Sequence, residues 1–525
     1  MTSQLSFGNE ARLQLLRGVN ALADAVAVTL GPRGGAVALR RASGPPLLTR
    51  DGNAVAREIE LPNAFEELGV RTVRQVAAHV ASVTGDGATT AILLARAIYR
   101  EGYKYVAAGY DPRRVAVGIE AGVASAVAQL RQLARRVERL HALNHVASVA
   151  AHGDEALGLV VAQALARLGP DAVVVTSEGQ EPGVRLEYQD GPQLVGEVAF
   201  IRVPSECGGS DVCMEDAAVL VLGEVLANPE QLLPLVSKLK GDRQPLLLVA
   251  PEFSAAVLRA LAVGRIGGGR GLLAVRLPQG EDSSDALEDV AAATGGRVVS
   301  TDGGLPLASV SEKDLGVAAR LTVLKERIHL LVTGEALESC RRRERLVRSV
   351  LLAAPVEAQP RLQKRLASFV DKAAIIRVGA ATATEARARW ECLQAAVRAG
   401  RAALEEGVVP GGGVALFRAA QALARARLAG PEEEAGLHAV AVALEAPLGQ
   451  LAANAGQAPG VIIEKVRAGE GAWGFNARSG ECEDLEEVGL FDAAKTLRLA
   501  LEGAARVASL LLNAGGLVTG RVPVS

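Results

Sequence analysis

From Asn9 to Thr29 the apolar residues Leu15, Val19, Leu22 and Val26 recur at spacings of four, three and four, the stripe of an amphipathic helix with one buried face. "GPRGG" ends it, and "AVALRRASGPPLLT" then predicts a short hairpin. A turn at Arg50-Asp51-Gly52 leads into further helices through about Leu133. The middle of the chain reads differently. "AAVLVLG" (217–223), "PLLLVAP" (245–251), "GLLAVRLP" (271–278) and "RVVST" (297–301) are short apolar strands separated by helix-length segments, a pattern that predicts a sheet with covering helices. After about Ala380 long Ala- and Leu-rich helices return, broken by a glycine turn in "EEGVVPGGGVALFRAA" and a polar turn in "GFNARSGECEDLEEVGLFDAAK". The expected fold class is multidomain, α plus α/β, with the α/β domain inserted into a helical one.

Composition narrows the function. At 525 residues and 49% hydrophobic, the chain can bury cores for about three domains. A formal charge of -2 supplies no field to gather nucleic acid, and 3% aromatic residues are too few for base-stacking platforms, so no nucleic-acid partner is expected. The basic run "CRRRERLVR" (340–348) reads as a solvated helix face. No run of eighteen or more predominantly apolar residues stands out, and the N-terminus has no continuous apolar signal core, so the expectation is a cytoplasmic protein with no membrane partner. Five cysteines without a Cys-x-x-Cys pair fit a reducing compartment; Cys207 and Cys213 flank a Gly-Gly turn but are not expected to pair. His141 and His145 share a helical spacing with no third ligand nearby, and are read as solvated rather than zinc-bound.

The chemistry concentrates in "ASVTGDGATTAILLARAIYREG" (81–102), where a Gly-Asp-Gly turn and two threonines run straight into an apolar helix. One reading is a phosphate group with its metal ion, because a helix N-terminus leaves N–H groups unpaired and carries partial positive charge, with Asp86 holding the cation. The other is ordinary capping, in which Thr84 or Asp86 accepts from the first-turn amides and the glycines only permit the turn. "TLGPRGG" and "PGGGVAL" are comparable turns, and Asp51 and Asp492 are further carboxylates. Neither a Gly-x-x-x-x-Gly-Lys-Ser/Thr loop nor a Gly-x-Gly-x-x-Gly after a strand occurs, which removes the main support for P-loop and Rossmann enzymes.

"VTLGPRGGAVAL", "LLTRDGNAVAREIEL", "VTGDGATTAILLARAI", "VGAATATE", "EEGVVPGGGVAL" and "GFNA" occur in the order and at the spacings of group I chaperonins, and the chain resembles the GroEL family over nearly its whole length. The resemblance implies an equatorial ATP-binding domain from residues 1–132 and 407–525, an intermediate hinge domain from 133–186 and 377–406, and an apical polypeptide-binding domain at 187–376. It also implies homo-oligomers in stacked heptameric rings that act on non-native polypeptides, closed by a GroES-type co-chaperonin, with ATP, Mg²⁺ and K⁺ as cofactors. Carried over by position, Thr29, Leu30, Gly31 and Pro32 contact the nucleotide. Asp86, Gly87, Thr89 and Thr90 hold the phosphates, with Asp86 on the metal, and Gly412, Asn476, Ala477 and Asp492 line the ribose and base. Arg50 stands where the family has lysine and Ala88 where it has threonine.

Several departures from the family bear on activity. Counting back from Gly407, the family's catalytic aspartate falls on Ala395 and its acidic neighbour on Gln394, leaving Asp51 as the remaining catalytic carboxylate. A methyl group cannot position water, so hydrolysis is expected to be slow. By resemblance, the polypeptide-binding helices present Leu233 and Val236 in "NPEQLLPLVSKLKG", and Leu258, Ala262 and Val263 in "FSAAVLRALAVG"; the same spacing also fits a buried stripe. Phe200 is the aromatic left in "GPQLVGEVAFIRVP". Asp371 and Lys372 occupy expected hinge glycines, which restricts an apical swing, although Gly191 matches the other hinge strand. "GLVTGRVPVS" lacks a Gly-Met-rich tail. Two functions follow: a divergent chaperonin with slow ATPase, or a ring-forming scaffold or holding factor that binds nucleotide without cycling.

Overall fold

The computed structural model describes residues 4–40, 47–138, 140–169, 173–178, 182–190, 192–202, 212–236, 244–264, 270–277, 283–324, 327–353, 362, 365–366, 368–369, 372–423 and 426–519. Gly191, Cys207, Asp371 and the last six residues, about which the sequence raised expectations, lie outside them. Two compact units form: residues 1–171, 176–186 and 376–525 make the first, and 172–175 with 187–375 the second.

The first unit is helical. Gly8–Ala27, Ala64–Thr84, Ala88–Ala107, Pro112–Leu133, Pro431–Ala443 and Ala494–Asn513 share one apolar core, and the stripe Leu15, Val19, Leu22, Val26 is fully inside it. Their starts follow local chemistry, as Asn63 accepts from the Phe65 N–H and Asp111 from the Arg113 N–H, with proline at the first position after Asp111. The hairpin forms as expected, Val37–Leu39 against Leu47–Thr49. Strand Gln4–Phe7 pairs antiparallel with Gly516–Thr519 and ties the two ends of the chain together. Leu140–Ala150 and Glu155–Leu168 pack as a helical pair against the long helix Ala383–Glu406. Gly407 ends that helix at φ +84, and a Cβ there would crowd the Arg135 carbonyl, so glycine is needed for both conformation and space.

One expectation is corrected in this unit. The expectation of no run of eighteen or more predominantly apolar residues fails at the helical stretch Pro431–Asn454, which is long and apolar enough to cross a membrane; 56% of its most apolar window is buried in the protein, as in a core helix.

The second unit is built on an eight-stranded sheet. Its order is Gln193–Val195, Arg327–Leu331, Gly316–Leu324, Val212–Leu222, Leu246–Ala250, Leu272–Arg276 and Glu197–Arg202, with Val298–Val299 pairing beside Val212–Leu222. Val212–Leu222, Leu246–Ala250 and Leu272–Arg276 run parallel at the centre. Leu246–Ala250 is buried along its entire length because both faces are covered, as a parallel strand requires. Ser283–Thr294 and Gly334–Ala353 lie on one face, and Ala255–Ala262 with the segment 229–236 on the other. The basic run falls on Gly334–Ala353, where Arg343 pairs with Glu288 and Asp289, and Arg348 with Glu344.

Candidate functional site

The Gly-Asp-Gly turn joins two long helices of the first unit, Ala64–Thr84 and Ala88–Ala107, and both glycines lie in the left-handed region, Gly85 at φ +73 and Gly87 at φ +86. Helix capping does not explain the polar residues. Thr84 Oγ1 donates to the carbonyls of Val80 and Asp86, and Asp86 Oδ1 accepts only from the adjacent Gly87 N–H, at 2.6 Å. The helix Ala88–Ala107 starts with no side-chain cap, so its first-turn amides face the site unpaired.

A second helix starts at the same place. Ala494–Asn513 also lacks a side-chain cap, and Asp492 lies just before it on the short strand Phe491–Ala493, paired with Val408–Pro410. Asp86, Gly87, Thr90, Asp492, Ala493 and Thr496 line one cavity of about 40 Å³, walled elsewhere by Val146, Val149, Ala399, Phe491 and Leu497. Two uncapped helix starts and two aspartates therefore meet from distant parts of the chain.

The carboxyls feel this crowding. Burial, the larger influence, and the charge of Asp86 push the Asp492 pKa up to about 7. Asp86 is open to solvent on one side, yet the protein packed about its carboxyl raises its pKa; the Gly87 N–H and His152 oppose that rise and Asp51 adds to it. Acids held this way favour a cation. Among the described residues no group of three or more side chains could hold a metal alone, so a cation here must complete its shell with ligand and water oxygens.

The remaining sequence-identified residues fall in two neighbourhoods. Asp51 caps the helix Gly52–Glu58 through the Asn53 N–H, and a Cβ on Gly52 would run into Thr89 Oγ1 and crowd Thr29 Oγ1, so Asp51, Thr29 and Thr89 adjoin one another. Leu30 and Gly31 are pinned by the next helix layer: Asn454 Nδ2 donates to the carbonyls of Ala27 at 2.9 Å and Leu30 at 2.8 Å, and Gly31 packs on Leu451. Arg33 donates to the Arg478 carbonyl, linking this turn to the one that carries Asn476 and Ala477. Gly412 at φ +62 abuts the Phe475 carbonyl, while the Asn476 side chain donates to Glu483 and accepts from Arg478 N–H. Pro32 and Arg50 are exposed, and Ala88 is buried. Arg33, Asn454 and Thr496 were not singled out in the sequence, because each matters only through partners hundreds of residues away.

Ala395 lies beside the Gly-Asp-Gly turn and does not line the cavity. It lies on the helix Ala383–Glu406, and its carbonyl oxygen occupies the space a Cβ on Gly85 would take. Two histidine expectations divide: His141 is exposed, but His145 is not solvated, and burial pushes its pKa down to about 4, which keeps it neutral.

In the second unit Leu233, Ala262 and Val263 are exposed, Leu233 at 47% and Val263 at 76%. Val236, Leu258 and Phe200 are half-buried against the sheet, and Val257 and Leu261 form the buried stripe of Ala255–Ala262. The exposed set is thus narrower than the five helix residues the resemblance implied. The described part of "NPEQLLPLVSKLKG" is a 3-10 turn, Pro229–Leu232, followed by the helix Leu233–Val236.

A sequence model of the TCP-1/cpn60 chaperonin family matches residues 22–189 and 221–519. Among solved structures the chain is similar to the chaperonin gp146 from the bacteriophage EL 2 (Pseudomonas aeruginosa), crystallised in presence of ATP-BeFx. Crystal form II aligns with TM-score 0.62 at 21% identity over 99% of each chain, and form I with TM-score 0.60 at the same identity and coverage.

Proposed function

The chain belongs to the TCP-1/cpn60 chaperonin family, and from that premise we propose that it is a ring-forming subunit that binds ATP with Mg²⁺ and assists folding, or prevents misfolding, of non-native polypeptides, with slow hydrolysis. The observation that carries the nucleotide reading is the meeting of Asp86 and Asp492 at two uncapped helix starts. The residues fit the group: amides for phosphate oxygens, and an otherwise uncompensated aspartate for a hard cation. Asp86 takes the metal, Gly87, Thr89 and Thr90 the phosphates, and Asp492, Gly412, Asn476 and Ala477 the ribose and base. Thr29, Leu30, Gly31, Pro32 and Arg50 close the remaining side. Bound Mg²⁺ neutralises phosphate charge. The phage chaperonin obtained with ATP-BeFx supports extending nucleotide binding to this chain.

The domain plan we propose is the five-segment division given above, in the cytoplasm, with Leu233, Ala262 and Val263 as the client-facing apolar residues. Support for assembly comes from the first unit's surface: Leu5, Phe7, Leu48 and Val518 are exposed on two isolated two-stranded sheets, which are marginal alone and gain from pairing with another copy. Stacked heptamers and a GroES-type lid, with K⁺ as a second cofactor ion, complete the family's arrangement.

Ala395 supports a second reading, a holding factor that binds nucleotide without an efficient cycle. The Ala395 backbone carbonyl packs on Gly85, so this residue sits beside the turn that would hold the phosphates. With Asp51 the remaining acid for orienting water, turnover is limited. An aggregation assay tests both readings: the purified oligomer is expected to suppress aggregation of a denatured client. Acceleration of refolding by ATP and a lid protein favours the cycling form, and holding unaffected by ATP favours the second. Failure to hold any client sinks both.

A further inference from the structure

Thr496 lies in the first turn of Ala494–Asn513 and is 5% exposed, yet its Oγ1 has no hydrogen-bond partner in the protein. A threonine deeper in a helix usually donates to the carbonyl one turn back; in the first turn no complete preceding turn is available. Its methyl packs on Gly87, where a Cβ would lie 2.5 Å from Thr496 Cγ2. The residue lines the cavity with Asp86, Thr90 and Asp492, in a wall whose remaining side chains are mostly apolar, Val146, Val149, Phe491 and Leu497 among them.

A buried hydroxyl left unpaired costs about 1–3 kcal/mol, and valine has the same shape without that cost. A hydroxyl in such a place is explained if it gains a partner when the site fills. The cavity, at about 40 Å³, is large enough for water, which needs at least ~10–15 Å³ and two or more polar neighbours. Asp86, Thr90, Asp492 and Thr496 all line it and carry polar groups, the Thr496 hydroxyl being the one without a partner in the protein.

We propose that Thr496 is a positioning residue of this site, its hydroxyl binding a water from the hydration shell of the divalent cation that Asp86 would hold with the nucleotide phosphates. Mg²⁺ keeps several waters when protein-bound, so outer groups that orient those waters add to its affinity. The inference rests on the nucleotide reading of the same cavity and adds a contact that this reading does not include.

The test uses the full-length oligomer with Thr496→Val and Thr496→Ser, ADP as probe, and calorimetric titrations with Mg²⁺ and with EDTA. Thr496→Val is expected to weaken Mg²⁺-dependent ADP binding about tenfold, the loss of one well-placed hydrogen bond, with binding in EDTA unchanged. Thr496→Ser should restore wild-type binding, and the melting temperature of unliganded Thr496→Val should equal or exceed that of wild type. Mn²⁺ substituted for Mg²⁺ gives a readout independent of affinity: water-proton relaxation at the bound ion should change in Thr496→Val and return in Thr496→Ser. Equal Mg²⁺-dependent affinity in all three proteins overturns the inference while leaving the nucleotide site standing, and a lower melting temperature for unliganded Thr496→Val assigns the hydroxyl to structure instead. Absence of any Mg²⁺-dependent binding in wild type overturns the site reading and this inference with it.

Discussion

Asp492→Asn should stabilise the unliganded protein at alkaline pH, because folding moves the carboxyl into a place that disfavours its charge. Its pKa rises from the ordinary 3.8 to about 7, chiefly through burial. The unfolded chain therefore releases this proton at lower pH than the folded one. The associated stability is complete below about pH 4 and is lost as pH rises through about 7. At 1.4 kcal/mol for each pH interval the unscreened loss is roughly 4 kcal/mol, and partial contact with water reduces it to about 2 kcal/mol. Urea denaturation of wild type and Asp492→Asn across pH 5 to 8 should show the variant gaining about 2 kcal/mol at pH 8 and less than half of that at pH 5. Mg²⁺ with ADP should reverse the order at pH 8, because a bound ligand stabilises only the protein that holds it well. Equal stability differences at pH 5 and pH 8 would refute the reasoning, since they would place the Asp492 carboxyl in water.

Three further substitutions probe the surroundings. Gly85→Ala forces a side chain into a left-handed turn against the Ala395 carbonyl, and should lower stability in urea by about 2–3 kcal/mol; a loss under 1 kcal/mol would show that this packing is loose. Asn454→Ala removes the donor to the Ala27 and Leu30 carbonyls and should cost about 1–2 kcal/mol while weakening ADP binding measured by calorimetry. Val263→Glu, at a 76% exposed position, should leave stability within about 0.5 kcal/mol and reduce suppression of client aggregation; unchanged suppression would remove Val263 from the client surface.

Periodicity made the elements legible. The Leu15–Val19–Leu22–Val26 stripe is the buried face of the first long helix, and each of the four apolar runs in the middle of the chain contains a strand of the eight-stranded sheet. The Gly-Asp-Gly turn was legible as chemistry, but spacing could not separate capping from ligand binding. The missing side-chain cap of Ala88–Ala107 argues against capping, and it is a property of coordinates. Thr496 is invisible in the sequence for a related reason: it reads as one more position in a core helix, and only coordinates show its methyl against Gly87 and its hydroxyl without a partner. His145 was misread because helical spacing says which residues share a face, not whether that face is wet. Pro431–Asn454 escapes the sequence reading because small apolar residues give a core helix and a spanning helix the same composition.

The central claim is that this chain binds ATP at the Asp86–Asp492 site and hydrolyses it slowly because Ala395 supplies no group to orient water. Single-turnover ATP hydrolysis on the purified oligomer, comparing wild type, Ala395→Asp and Asp86→Ala, tests it most directly. Wild type is expected to bind and turn over slowly, Ala395→Asp to accelerate the chemical step by about a hundredfold or more, and Asp86→Ala to lose Mg²⁺-dependent binding. Rapid hydrolysis by wild type that Ala395→Asp scarcely changes would contradict the claim and point to an ordinary folding cycle driven by another group.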